Sequence, residues 1–560
     1  MSIAPSAARA LADDFVAYRL LTEHDRALWA GELTHLEMWP DVSEQGVADR
    51  FSALEHFAQR GEVLEAADAD DRTLLETIVF TGRSQSLQLR WQPELEWVNH
   101  TTGIFPTIFT FLPRYPLVTA DDGDRYLEKI RRLPDFIDAW GGCLSDAADQ
   151  SLTPISHLVS ALIAALDRRL ERPLSEGQLA RQSPPSSLAG EAIEAFTGEL
   201  RNLLDDAVTS PLRRLRSTLA SRTLPAARPD HLPGLVHLEG GPEHYERLVW
   251  AHTSLDVTAA QVHEIGLQQV DRLESEYRQV AGPLLGTTDI TDIYRRLRDD
   301  PGLHYPDAET LVADASAALA KAIAASPDWF GTLPQAPCVA NSIEQGALAF
   351  YSRPARDGSK PGRFFFNTVD PSMWGTFQLE AVTYHEGVPG HHLQLAIAQE
   401  NPELHHLLAD YYIAAYNEGW GLYTERLADE MGLYSTELDR VGMLSADSMR
   451  ACRLVVDTGI HAFGWTRDQA IDYMLDHSPM TRTQVEGEID RYIGDPGQAL
   501  GYMLGRLEFE RIRNDAESRL ADRFGIKDFH DVVLSTGSVP ISTLRRVVND
   551  WVVRIKPAPS

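Results

Sequence analysis

Four residues within eight positions form the clearest chemical signal in this sequence. The stretch TFQLEAVTYHEGVPGHHLQLAIAQ, residues 376–399, contains His385, Glu386, His391 and His392. A His-Glu pair on a helix, followed one turn later by a second histidine, is the pattern of the zincin metallopeptidases. In such sites the two imidazoles bind the metal and the glutamate activates a water molecule. This stretch is therefore a candidate metal site.

The spacing departs from the simple pattern, because the position four residues after His385 is Pro389. On an unbroken helix, His391 would be rotated by about 240° from His385 and His392 would lie about 10 Å further along. Neither could share an ion with His385, since zinc–nitrogen bonds are only about 2.0–2.1 Å long. Proline disfavours helix at the preceding residue, and glycine loosens the backbone. The intervening GVPG therefore predicts a helix that ends after Glu386 and restarts near the proline, returning one histidine to the metal.

A third ligand is expected from a separate element of the chain. Glu418 lies in an otherwise apolar and aromatic stretch, YYIAAYNEGWGLYTERLADE. A carboxylate among such neighbours needs a charged partner or a metal. Glu425 follows seven residues later on the same helix face, where it could accept a hydrogen bond from a ligating imidazole. The alternative for both residues is an ordinary glutamate on an amphipathic helix.

Four sequence blocks resemble one known family. They are HEGVPGHHLQ, NEGWGLYTERL, LVVDTGIHAFGW and PGQALGYMLGRL, which occur in that order. Together they resemble the domain of unknown function 885 family of bacterial proteins, and the resemblance covers most of the chain. It implies a metallopeptidase-like protein.

A more distant similarity is to the Taq-type zinc carboxypeptidases, in which HExxH is followed by a short aliphatic tail. When the Gly-His steps are aligned, the similarity implies His391 rather than His392 as the second imidazole ligand, with two residues inserted before it. It also implies Glu418 as the ligand glutamate, with Glu425 seven residues further on. The YMLG segment that begins at Tyr502 is similar to an aromatic Tyr-x-Leu-Gly segment of those enzymes.

These observations lead to the hypothesis of zinc-dependent peptide hydrolysis. One zinc ion per chain would be held by three residues, His385, His391 (with His392 as its alternative) and Glu418. Glu386 would act as the general base. The oxyanion that forms needs a second donor besides the metal, and the resemblance implies Tyr502 for that role. His461 is a weaker candidate, and a hydrogen-bonded core histidine is an equal interpretation for it.

The substrate is expected to be a short peptide. A carboxypeptidase needs a fixed cation for the terminal carboxylate, preferably an arginine. The candidates are Arg450, Arg453, Arg491 and Arg506. The Taq-type similarity favours a carboxypeptidase, with endo-cleavage left open. Two other hypotheses are a metal hydrolase of a non-peptide amide and a non-catalytic helical binding protein with a structural metal.

The elements that must position these residues are mostly helices, because apolar residues recur at three- and four-residue spacing. We predict a large α-helical, zincin-like body. Strand-like alternation is clearest in Leu348–Ser352 and Arg363–Asn367, which flank a turn-rich connection and predict a β-hairpin beside the metal site. Its edge could pair with an extended substrate. The main helical segments are 7–30, 123–140, 144–170, 188–220, 242–281, 306–325, 402–431, 436–463, 466–477, 481–493 and 497–524.

Composition narrows the classes of partner. The 560 residues include 51 Lys and Arg against 82 Asp and Glu, a formal net charge of −31. Such a charge repels nucleic acid and anionic membranes. Three scattered cysteines and an N-terminus without a leader pattern predict a cytoplasmic protein. A breaker-rich segment, 223–236, divides the chain into an N-terminal helical region (1–235) and a metallopeptidase-like region (236–560), which we expect to pack as one continuous helical body. The oligomeric state is left open.

Overall fold

The computed structural model describes residues 6–23, 33–89, 98–100, 103–149, 153–343 and 348–555, and most of them are helical. The predicted mainly α-helical fold with a small sheet is therefore confirmed. The helices that precede the sheet are α1 Ala7–Thr22, α2 Glu44–Val63, α3 Ala69–Leu89, α4 Ala120–Asp149, α5 Ser156–Leu170, α6 Glu191–Leu203, α7 Thr209–Thr218, α8 Gly241–Thr253, α9 Ala259–Leu285, α10 Ile290–Asp299 and α11 Ala308–Ala325.

The second group of helices follows the sheet and carries the candidate site. These helices are α12 Leu379–Glu386, α13 His391–Glu400, α14 His406–Asp410, α15 Ala414–Glu430, α16 Glu437–His461, α17 Arg467–Asp476, α18 Arg482–Gly494, α19 Leu500–Leu520, α20 Ile526–Ser535 and α21 Ile541–Ile555. Helix α16 packs against α9, α12 and α19, and α15 packs along α19. The motif helices are thus enclosed by longer helices.

Capping side chains define where three of these helices begin. Thr436, Thr466 and Thr481 precede α16, α17 and α18, and each accepts a hydrogen bond from the backbone N–H three residues later. The side chain at that later position accepts a bond from the threonine N–H in return. This reciprocal pair satisfies amide groups that a helix end leaves unpaired. The start of α16, which lies against the site, is therefore well defined.

A three-stranded sheet lies beside the motif helices. Its strands are β1 Cys338–Ile343, β2 Ala349–Ser352 and β3 Gly362–Asn367, in the order β1-β3-β2. Strand β3 pairs antiparallel with β2 and parallel with β1. The predicted hairpin is therefore confirmed, and β1 was missed because the polar residues in CVANSI obscure its alternation. The free edges belong to β1 and β2.

One buried hydrophobic cluster extends through the described residues from Ala8 to Val552, so it crosses the predicted boundary at residue 235. A second, smaller cluster joins α11 to the sheet through Leu311 and Phe364. The division into two regions stays a prediction. Within the part of the chain that the structure describes, no helix is both long and apolar enough to cross a membrane.

Several predicted helix boundaries were wrong. The periodicity predicts separate helices over residues 123–140 and 144–170, but α4 continues through Pro134 to Asp149, and α5 begins at Ser156. Apolar periodicity predicts the buried face correctly, but it does not show where packing carries a helix across a proline. The predicted segment 7–30 is helical to Thr22, and residues 24–30 lie outside the described part of the chain.

Two other predicted helices are interrupted. The segment 242–281 breaks between α8 and α9, where Ser254 adopts a left-handed backbone with φ of 54°. The segment 402–431 contains α14 and α15, with an extended connection at residues 411–413. This second interruption matters for function, because it places Tyr412 over the start of α15.

The contact between α15 and α19 depends on two glycines. A Cβ on Gly505 would lie 2.1 Å from the carbonyl oxygen of Ala415, and a Cβ on Gly419 would lie 2.6 Å from the Cα of Gly505. Such distances are far below van der Waals contact, so the two backbones approach this closely only because both positions lack side chains.

We predict that Gly505→Ala lowers the free energy of unfolding by about 1–3 kcal/mol, because the added methyl group forces the two helices apart. Thermal unfolding followed by circular dichroism measures this as a lower midpoint. Gly487→Ala is the matched control, since a Cβ on that exposed helical glycine would have no neighbouring atom within 4 Å. Equal midpoints for Gly505→Ala and the unmodified protein would show that the close approach is unimportant.

Candidate metal centre

The chain between His385 and His391 is a tight turn that joins two helices. Helix α12 ends at Glu386 and α13 begins at His391, as the GVPG segment predicts. The backbone is so compact that a Cβ on Gly390 would lie 1.9 Å from the carbonyl oxygen of His385. The turn brings the His385 and His391 rings together, with centroids 4.8 Å apart and planes nearly perpendicular.

Glu418, from α15, meets both imidazoles. Its Oε2 atom lies 3.3 Å from Nε2 of His385 and 3.5 Å from Nε2 of His391. The ligand atoms of these three buried residues all lie within 4.8 Å of one another. Tetrahedral ligands bound about 2.1 Å from a zinc ion would be about 3.4 Å apart. The nitrogen and carboxylate donors therefore fit a metal ion in both spacing and chemistry.

His385 is held by a second carboxylate on α15. Its Nδ1–H donates to Oε1 of Glu425 over 2.8 Å, and Glu425 is fully buried. In the neutral imidazole this bond keeps the hydrogen on Nδ1, which leaves the lone pair on Nε2, the nitrogen that points toward the cluster. The ring also needs Gly421, because a Cβ there would lie 2.6 Å from its Cε1 atom.

The cluster concentrates charge in a buried space. Burial alone would lower the pKa of His385, but its hydrogen bonds to Glu418 and Glu425 raise it to about 9. Burial would likewise raise the pKa of Glu418, but the two imidazoles hold it well below its ordinary value. The two pKa shifts both indicate that Glu418 stays ionised and that a positive charge between these side chains is favoured.

Glu386 lies at the edge of this cluster. Burial raises the pKa of its carboxyl group, and the nearby His385 and His391 oppose that shift. No hydrogen bond to its carboxylate is formed by the residues that the structure describes. The carboxylate therefore has acceptor capacity available next to the candidate ligands.

Two tyrosines approach Glu418 from different elements. Tyr412 donates its hydroxyl hydrogen to Oε1 of Glu418. Sequence reasoning misses this contact, because the apolar periodicity predicts a continuous helix through Tyr412. Tyr502, from α19, interacts electrostatically with Glu418, and burial raises its pKa to about 12. Its phenol is thus protonated at neutral pH and can donate a hydrogen bond.

His392 points away from the cluster and is not among the three residues whose ligand atoms come together. Its Nδ1 accepts a hydrogen bond from Tyr351 over 2.9 Å, and its Nε2–H donates to the carbonyl of Ala336 over 3.1 Å. Burial lowers its pKa to about 4, which keeps it neutral. It ties α13 to the sheet, and a Cβ on Gly362 would lie 2.4 Å from its Nδ1.

His461 also has a different role from the one considered for it. The backbone N–H of Leu235 donates to its Nδ1 over 3.2 Å, and its Nε2–H donates to the carbonyl of Tyr492 over 3.0 Å. Burial lowers its pKa to about 3. Because both ring nitrogens are engaged with backbone groups, His461 has no donor left for an oxyanion. These two bonds favour the interpretation of His461 as a hydrogen-bonded core histidine.

The fold and this cluster define a mainly α-helical protein with a buried His-His-Glu site. The chain belongs to the family described as "Bacterial protein of unknown function (DUF885)", which it matches over residues 25–548. This confirms the family resemblance found in its motifs. No curated protein matches it.

Solved structures share the whole fold. A Colwellia psychrerythraea protein described as a "putative lipoprotein" is 25% identical, with a TM-score of 0.89 over 98% of this chain and 100% of that one. A Shewanella oneidensis protein described as a "putative lipoprotein of unknown function" is 18% identical, with a TM-score of 0.73 over 97% and 100% of the two chains. The second likeness shows the fold alone.

The neighbouring histidines make a matched pair for testing the site. His391→Ala removes a proposed ligand, so we expect it to lose the bound ion. His392→Ala removes only the links to Tyr351 and Ala336, and we expect it to keep about one zinc per chain. Inductively coupled plasma mass spectrometry after zinc loading and gel filtration measures both. Loss of zinc from His392→Ala with retention in His391→Ala would reverse the assignment.

Proposed function

We propose that this protein is a zinc-dependent peptidase that hydrolyses short peptides. The observation that carries the proposal is the spacing of three ligand atoms around one point, with an unbonded carboxylate beside them. Glu418 Oε2 lies 3.3 and 3.5 Å from the two imidazole nitrogens, as tetrahedral coordination by His385, His391 and Glu418 requires. Structural zinc sites usually have four protein ligands, whereas three leave a position for water or substrate.

A zinc ion held there supplies a Lewis acid for the scissile carbonyl and a more acidic water. Glu386 is the group that accepts the proton from that water and passes it to the leaving amine. Its partial burial supports this role, because a carboxyl group whose pKa is raised returns a proton more readily. Glu425 keeps His385 oriented throughout.

Tyr502 is the proposed donor to the oxyanion that develops during hydrolysis. Its phenol has a pKa of about 12, so it remains protonated at neutral pH. The phenol also interacts electrostatically with Glu418. The guanidinium of Arg453 stacks on the Tyr502 ring, and its Cζ atom lies 4.4 Å from the ring centroid. This stacking restricts the movement of the ring. A donor positioned in advance loses little freedom when the charge develops.

The proposed substrates follow from the enclosure of the site and from its charge. The candidate ligands are 3%, 8% and 9% exposed, so a substrate must enter a recess to reach them, which favours an extended chain over a folded protein. The net charge of −31 supports neutral or basic peptides and opposes nucleic acid and anionic membranes as partners. The cytoplasmic location is a proposal from the sequence alone.

Glu386→Gln tests the division between metal binding and chemistry. We expect it to keep the zinc ion, because Glu386 is not a ligand, and to lower peptide turnover by about 10²–10⁴, because the proton acceptor is gone. Turnover of an N-acetylated peptide library, read by mass spectrometry beside metal content, measures both. Glu403→Gln, at an exposed glutamate outside the site, is the control. Near-normal turnover by zinc-loaded Glu386→Gln would contradict the assigned role.

Tyr502→Phe tests the oxyanion donor. Removing one hydroxyl group should lower kcat by about 10²–10³ while KM changes little, since the bond is made chiefly in the transition state. Steady-state kinetics on a cleaved peptide give the two constants separately. Tyr473→Phe in α17 provides a comparison outside the cluster. A rise in KM at unchanged kcat would instead make Tyr502 a substrate-binding residue.

A further inference from the structure

The four arginines considered for a substrate carboxylate differ in their partners. Arg506 is fully buried and pairs with Asp447 at 3.1 Å. Arg453 and Arg491 both pair with Glu488, at 2.8 and 3.0 Å. Each of these three guanidinium groups thus forms an ion pair at hydrogen-bond distance, with Arg453 and Arg491 sharing one carboxylate.

Arg450, on α16, has far fewer partners. Its Nη1 donates to the carbonyl of Ala446, one turn earlier on the same helix, over 3.2 Å. Its Nη2 lies 3.7 Å from Oε1 of Glu425, which is too long for a hydrogen bond. Its Nε is buried and has no hydrogen-bond partner among the described residues. A guanidinium has five N–H donors, so most of the donor capacity of Arg450 is uncommitted.

The Arg450 guanidinium lies beside the residue that orients the candidate ligand His385. Its Nη2 is 3.7 Å from Oε1 of Glu425, and that oxygen accepts a hydrogen bond from Nδ1 of His385 over 2.8 Å. The Arg450 side chain is 12% exposed, which is consistent with a position on the wall of a narrow space.

The distance between the Arg450 guanidinium and the proposed metal position limits the length of the substrate segment that can lie between them. The contacts from Arg450 through Glu425 to His385 place the guanidinium no more than about 11 Å from an ion on His385 Nε2. An extended chain advances about 3.3–3.6 Å per residue. This upper limit allows no more than two residues between a carbonyl at the metal and a carboxylate at Arg450.

We propose that Arg450 binds the free C-terminal carboxylate of the substrate, so that the enzyme releases one or two residues from the C-terminus of a short peptide. The inference rests on the proposed peptidase function and specifies at which end of the peptide the cleavage occurs. Arginine suits the task, because its planar fork presents two parallel N–H groups to a carboxylate.

Balancing the charge of Glu425 does not account for Arg450. The second oxygen of Glu425, Oε2, is buried without a hydrogen-bond partner among the described residues, although the arginine beside it has unused donors. A residue selected only to neutralise Glu425 would donate to that oxygen. The guanidinium instead stays 3.7 Å from Oε1, and its Nη2 forms no hydrogen bond with the residues that the structure describes.

The test compares an N-acetylated tetrapeptide as its free acid and as its C-terminal amide. Products are read by mass spectrometry, and kcat/KM is measured for the zinc-loaded wild-type protein, Arg450→Gln, Arg450→Lys and Arg440→Gln. Arg440 lies on the same helix and pairs with Asp429 and Glu437, so it is the matched control. Zinc content is measured for every variant, and calorimetry compares binding of both peptides to inactive Glu386→Gln.

We expect the wild-type protein and Arg440→Gln to prefer the free acid by at least about tenfold, since charge-assisted hydrogen bonds are lost with the amide. Arg450→Gln should keep its zinc and lose the preference for the free acid. Arg450→Lys keeps a point charge without the planar guanidinium, so its preference should lie between those of the wild-type protein and Arg450→Gln. Glu386→Gln should bind the free acid more tightly than the amide.

Four results would overturn the inference. An unchanged preference in zinc-loaded Arg450→Gln, or equal wild-type rates on acid and amide, would refute it while leaving the peptidase function intact. Loss of zinc from Arg450→Gln would make Arg450 a support for Glu425 and His385. If zinc-loaded wild-type protein cleaved neither peptide, nor any member of the library, the proposed function itself would be wrong.

Discussion

Two imidazoles six residues apart in the chain must face one carboxylate, and an unbroken helix cannot bring them there. The turn between α12 and α13 brings the two imidazoles together, and glycines in the turn and in the neighbouring helices leave room for them. Gly390 lets the turn close against the carbonyl of His385, and Gly421 leaves room for the His385 ring. Gly505 in turn lets α15, the helix that carries Glu418, lie close to α19. The ligand cluster thus depends on positions where a side chain is absent.

Charge is the second constraint on this site. Glu386, Glu418 and Glu425 are gathered around two imidazoles, and such burial is costly without compensating partners. Hydrogen bonds from His385 and from Tyr412 compensate part of the cost of burying these carboxylates. A divalent cation would compensate the remaining negative charge. In the proposed function, Glu386 and Arg450 would act on a substrate beside this cluster.

Local sequence was sufficient for those parts of the site that depend on local rules. Proline and glycine chemistry predicts the break after Glu386, and an isolated carboxylate in an apolar helix identifies Glu418. The hairpin β2–β3 follows from alternation and a turn-rich connection. These features are encoded within a few residues of each other, so a single sequence reveals them.

Features that depend on distant packing were not predictable in this way. His392 is held away from the ligand cluster by hydrogen bonds to Tyr351 on β2 and to Ala336 just before β1, which precede it in the chain by 41 and 56 residues. His461 is committed to the backbone of Leu235, 226 residues earlier. The uninterrupted α4 and the interruption at residues 411–413 likewise reflect tertiary contacts that override local preference.

The most direct test of this account is anomalous X-ray diffraction from zinc-loaded crystals, recorded above and below the zinc absorption edge. The account predicts one strong zinc peak per chain, about 2.0–2.2 Å from Nε2 of His385, Nε2 of His391 and a carboxylate oxygen of Glu418, with a position left open toward Glu386. A peak bound by His392, a site closed by a fourth protein ligand, or no peak at these residues in crystals that contain zinc would contradict it.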